Sequence, residues 1–175
     1  LMCFRDNQLR PVLGWLVLGL LVLELARGLW LGKTTPHGAW FSALVGSLAG
    51  FGTKAGLVPL HVWLPEAHPA APSHVSALMS GVMVKMVVYG VARALLLVGP
   101  APAWFGWILV AAGAGSAVLG VLLALAQRDL KRLLAFSTVE NVGIIVLGLG
   151  LGTLGRAMGS PLAAVLGYGG ALLHV

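Results

Sequence analysis

The 175-residue chain is 59% hydrophobic and only 9% charged, with a formal net charge of +6. A soluble domain carries about 25% charged residues, so this composition excludes a soluble enzyme and identifies an integral membrane protein. The basic excess is no nucleic-acid surface. Of the eleven Lys and Arg residues only Arg128, Lys131 and Arg132 cluster, and the rest flank apolar runs singly or lie inside them.

The hydropathy pattern predicts an all-α fold, a polytopic transmembrane helix bundle in one transmembrane region. Spans are expected at about 12–31, 39–64 (broken), 73–99, 104–126, 133–155 and 161–175. The chain starts at Leu1 and ends at Val175 inside an apolar run, so it reads as a fragment of a larger subunit. In the first span Glu24 and Arg27 form an i,i+3 pair near the far end, readable as a neutralised pair at the interface. A short polar linker, residues 32–38, leads to the second span.

The second span carries the unusual chemistry. Lys54 lies in an apolar run, bracketed by Gly52 and Gly56 and followed by Pro59 and Pro65. A charge at membrane depth costs at least ~2.5–3.5 kcal/mol on insertion scales. Glycine and proline there interrupt the helix and leave backbone groups that need protein or water partners. A broken helix beside an intramembrane charge is the pattern expected where a membrane protein handles ions. The plainer alternative places Lys54 near a helix end, snorkelling to the headgroups.

Ser73 is a candidate N-cap for the third span, and Lys85 follows twelve residues later, near the bilayer centre. Gly81 and Tyr89 lie one turn to either side of it on the same face. The fourth span is rich in glycine, and Gly113, Gly115 and Gly120 suggest tight helix packing. The loop over 127–132 holds the densest positive charge and is expected in the cytoplasm, by a margin of one Lys or Arg. The fifth span opens with Ser137, Thr138, Glu140 and Asn141; Glu140 could serve a proton path or simply pair with a neighbouring helix.

Several ionisable groups joined by water can pass protons laterally or gate one another, which makes Lys54, Lys85 and Glu140 candidates for a relay. His61, His68 and His74 lie 7 and 6 residues apart on a Pro-broken loop, without the i,i+4 spacing of a helical ligand pair, so no metal site is expected. Cys3 is the only cysteine, which excludes a disulfide framework or thiolate metal site within the chain. No phosphate-cradling loop, dinucleotide fingerprint or catalytic serine arrangement is present, and no catalysis is expected from this chain alone.

The run from Gly52 through Lys54, Gly56, Pro59, His61, Trp63 and Pro65 to Ala67 resembles the signature of antiporter-like subunits. These occur in respiratory complex I, in group 4 membrane-bound hydrogenases including formate hydrogenlyase, and in multisubunit cation/proton antiporters. The resemblance continues from Val75 to Lys85 and from Asp129 to Asn141, and His174-Val175 resembles the opening of a further His-rich family motif. It implies that Lys54 and Lys85 belong to a proton relay, to which Glu140 and His174 are added, and that Gly52, Gly56, Pro59 and Pro65 form the helix break. The wording around Ser80-Gly81-Val82 and Ser137–Gly143 is most similar to the hydrogenase-type subunits. The family's partner glutamate, on a helix before the broken one, is not matched, and Glu24 lacks its context.

The resemblance implies a proton-translocating, multi-pass subunit of a redox complex in the cell (inner or plasma) membrane. Its partners would be other membrane and peripheral subunits, lipid and protons, with no nucleic acid. No cofactor is expected in this chain; Fe–S clusters and Ni–Fe or flavin centres would lie on partner subunits. Two alternatives remain: a cation/proton antiporter subunit without redox partners, and a scaffold helix bundle that conducts nothing.

Overall fold

The computed structural model of the chain describes residues 36–98 and 101–175. The span expected over 12–31, with Glu24 and Arg27, and Cys3 lie outside the described residues. The chain divides into two compact units, Leu1–Gly50 and Phe51–Val175, and the packing described here is that of the second.

Every regular element among the described residues is helical: α1 Pro36–Ala55, α2 Leu64–Ala70, α3 Ser73–Leu78, a π-helical turn Met79–Met83, α4 Val84–Val98, α5 Ala103–Leu125, α6 Leu130–Ala157 and α7 Pro161–His174. Among the described residues, three segments are long and apolar enough to cross a membrane: Ser73–Leu96, Ala103–Leu125 and Leu130–Ala157. At 1.5 Å per residue they are about 35–42 Å long, against a hydrocarbon core of ~30 Å. The fold is thus a partial polytopic helical bundle with a discontinuous helix after Lys54.

Helix α6 is central, and glycine lets its neighbours approach. On α5 the buried positions Gly106, Leu109, Gly113, Ser116 and Gly120 form one stripe with spacings of three and four. A Cβ added to Gly113 would stand 2.5 Å from the Leu147 nitrogen, and one on Gly120 would stand 2.8 Å from that of Glu140. On the other side of α6 the contact with α7 is closer still. A Cβ on Gly155 would lie 2.4 Å from the Ala164 nitrogen, and one on Gly167 2.3 Å from the Gly152 nitrogen. No side chain fits at such positions, so the backbones themselves are in contact. Gly115, grouped by sequence with Gly113 and Gly120, has nothing within 4 Å of a built Cβ, because two residues along a helix point to a different face. Gly106 takes its place in the stripe.

The helix ends have identifiable causes. The Asp129 side chain accepts from the Lys131 backbone N–H at 2.9 Å and caps α6. Ser160 caps α7, with Pro161 in its first turn. Pro72, rather than Ser73, occupies the cap position of α3, where its carbonyl accepts from the Ser76 N–H at 2.9 Å.

Candidate functional site

The site is built around the end of α1. Gly56 adopts a φ of 80°, a conformation that side-chain-bearing residues rarely take. It lets the Leu57 N–H reach back to the Gly52 carbonyl at 2.9 Å and the Gly56 N–H to the Thr53 carbonyl at 3.2 Å. This pair of bonds is the glycine-dependent helix stop, with Leu57 closing over Gly52. The Trp63 indole N–H also donates to the Thr53 carbonyl, at 2.7 Å. Trp63 is therefore a cap for a broken helix, giving the Thr53 carbonyl a second donor beside the Gly56 N–H. Lys54 stands in the last turn of α1, where the negative end of the helix favours a cation, and its side chain is exposed.

Beyond Gly56 the chain turns through a cis Val58–Pro59 bond and re-enters a helix at α2, with Pro65 in its first turn. One hydroxyl pins this irregular stretch. The Val58 N–H donates to Ser116 Oγ at 2.9 Å, and Ser116 in turn donates to the Ala112 carbonyl at 2.8 Å. Ser116 is completely buried, so Val58 exchanges no hydrogen bond with water at this point.

The turn from α2 to α3 is held differently. His68 is 1% exposed, and its Nδ1 lies 2.5 Å from Ser76 Oγ, while its Nε2 is buried with no partner among the described residues. Burial pushes the His68 imidazole below its ordinary value of 6.5. Lys131 Nζ donates to the Ala71 carbonyl at 2.9 Å and fastens the turn to the start of α6. His61 lies with its ring tilted against Phe136, centroids 6.3 Å apart, on a cleft of about 250 Å³ that Glu66, Gln127 and Arg132 also line. His74 is exposed. Among the described residues no three His, Cys, Asp or Glu side chains group as a metal site.

Lys85 stands two residues after the π-helical turn and is half-buried. Its Nζ donates to the main-chain oxygen of Val175, next to His174. His174 Nε2 lies 2.9 Å from Asn141 Oδ1, and Asn141 Nδ2 donates to the Ser137 carbonyl at 2.8 Å. Lys85, Asn141 and His174 are thereby brought to the same end of α7. Glu140 is half-buried on the side of α6 that meets Gly120. No hydrogen bond or ion pair among the described residues joins Lys54, Lys85 and Glu140 to one another. Sequence reasoning did not single out Ser116 or assign Asn141 a role. The first is signalled only by its place between Gly113 and Gly120, and the second by lying four residues after Ser137.

Residues 15–170 match the model of a family described as NADH:quinone oxidoreductase/Mrp antiporter, TM. The chain is 59% identical over 129 residues to Hydrogenase-4 component B of Escherichia coli, covering 72% of this chain and 19% of that protein. It is 44% identical over 126 residues to Formate hydrogenlyase subunit 3 of the same organism, covering 72% of the chain and 21% of the relative. To NADH-quinone oxidoreductase subunit N of Desulforudis audaxviator it is 43% identical over 140 residues, covering 76% and 25%. The chain thus spans about a fifth to a quarter of the length of these relatives. The match over residues 15–170 takes in the interrupted helix and both lysines, and the chain belongs to the transmembrane NADH:quinone oxidoreductase/Mrp antiporter family.

Proposed function

We propose that this chain is part of a proton-translocating membrane subunit of a hydrogenase-type or complex I-like redox complex, in which Lys54, Lys85, Glu140 and His174 form the proton relay. The observation that carries the reading is the helix stop beside Lys54. Its Gly52 and Thr53 carbonyls accept from Leu57, Gly56 and Trp63, and the segment that follows is pinned through Val58 to the buried Ser116. An interruption held by these partners is a built feature, with a cation at the end of a half-helix. Lys85 has a comparable setting beside the π-helical turn, a geometry frequent at functional sites. The similarity to Hydrogenase-4 component B and Formate hydrogenlyase subunit 3 favours a redox complex over a free-standing antiporter. On this reading the complex sits in the cell membrane, and the Fe–S and Ni–Fe or flavin centres belong to partner subunits.

The test is Lys54→Met and Lys85→Met in the full-length subunit within its complex. Each is expected to lower proton uptake by sealed vesicles at least about tenfold, while electron transfer between soluble dyes persists. The double variant should lose little more than the worse single one, as groups acting together do. Uptake at the unmodified rate in both single variants overturns the relay and leaves a scaffold.

A further inference from the structure

We infer that Asn141 is a positioning residue that holds His174 with its proton on Nε2, so that the ring can accept a further proton only at Nδ1; the inference rests on the relay reading above. The side-chain amide of Asn141 has one donor end and one acceptor end. Its Nδ2 end stands 2.8 Å from the Ser137 carbonyl oxygen. A carbonyl only accepts, so the amide cannot be turned over without setting two oxygens against each other. The Oδ1 end therefore faces His174, 2.9 Å from Nε2. An amide oxygen also only accepts, so the Nε2 of His174 must be the donor.

The consequence is directional. Neutral His174 offers Nδ1 as its one vacant acceptor, and a proton taken there makes the imidazolium. The Nε2 proton cannot pass to Asn141, whose oxygen does not hold it at neutral pH. Onward transfer of that proton requires the ring to turn away from Asn141. Uptake and release are thereby separated by a side-chain rotation; release leaves the remaining proton on Nδ1, and the ring regains its starting form, with Nε2–H donating to Asn141, only by taking a proton at Nε2 and giving up the one on Nδ1. Lys85, whose Nζ donates to the main-chain oxygen of Val175, stands at the same end of α7.

The experiment uses the intact complex with ring-¹⁵N-labelled histidine, the His174 signals being assigned by their loss in His174→Gln. The expected spectrum at neutral pH has a protonated Nε2 and a bare Nδ1. Asn141→Leu removes the acceptor; an Nδ1–H population should appear and proton uptake should fall roughly fivefold, the factor for losing one neutral hydrogen bond. Asn141→Gln keeps both an amide acceptor and an amide donor, and should keep the proton on Nε2 and uptake within about twofold. A wild-type ring with bare Nε2 overturns the inference, and so does Asn141→Leu with an unchanged tautomer, whatever its uptake. Wild-type uptake by His174→Gln would instead remove His174 from the relay, while the tautomer spectrum still decides the role of Asn141.

Discussion

Two glycine-terminated helices show how differently this chain uses the same device. At Gly56 and at Gly159 the backbone takes a positive φ, 80° and 71°, and the following N–H groups fold back onto the helix they leave. After Gly159 the chain passes directly through Ser160 into α7, which packs backbone to backbone on α6. After Gly56 it wanders through Leu57–Trp63 before α2 begins, held by single side-chain hydrogen bonds from Trp63 and Ser116. The first arrangement is stabilised by absent side chains and has no way to yield without separating two helices. The second is stabilised by a few replaceable hydrogen bonds, and it carries Lys54. Backbone-to-backbone packing and the interrupted helix that carries Lys54 thus occupy different parts of the second unit.

That contrast can be broken most sharply at the α6–α7 seam. Gly155→Ala and Gly167→Ala would drive a methyl group into backbone at 2.4 and 2.3 Å. Each is expected to destabilise by about 1–3 kcal/mol or more, seen as a lower midpoint when the purified complex is heated and the folded subunit followed. Gly115→Ala, with open space around it, should change that midpoint little and in the upward direction, since alanine is the better helix former by about 1 kcal/mol. Equal losses at all three positions would mean that the seam is not what glycine is there for.

The second region is probed by Ser116→Ala. Removing the hydroxyl leaves the Val58 N–H without its acceptor, worth about 1–3 kcal/mol locally. Amide exchange in residues 57–63 should quicken roughly tenfold or more, while exchange along α6 stays as it was. A uniform rise across both regions would show that the helix break and the glycine-packed bundle open as one unit.

The smallest expected effect concerns His68 and pH. Burial lowers its folded value below the 6.5 of the free side chain. Below pH 6.5 the unfolded chain therefore binds a proton that the folded chain refuses. The stabilising contribution is fully present above 6.5 and is lost as pH falls toward the lowered folded value. In the wild-type complex, acidification from about pH 7.5 to about pH 5 should lower the midpoint, and His68→Gln should flatten that dependence. An unchanged acid limb in the variant would mean that other groups govern it.

Much of this protein was legible before any coordinates. Hydropathy required membrane helices, because runs of about twenty apolar residues have nowhere else to be satisfied. Gly52, Lys54, Gly56 and the prolines announced a helix that stops beside a charge, since glycine and proline act on local backbone geometry and need no partner to do so. Partners across space were not legible. That Gly106 and not Gly115 faces α6 depends on which stripe of α5 the neighbouring helix meets, and every stripe of so apolar a helix reads alike. Ser116 became the acceptor for Val58, 58 residues away in sequence, only because the bundle set one against the other. Asn141 meets His174 in the same way, at the end of α7 that tertiary packing brings to it. Local backbone chemistry was written in the sequence; which polar atoms meet was decided by packing, because an exchange of hydrogen bonds needs two groups within about 3 Å and the linear order of residues does not set that distance.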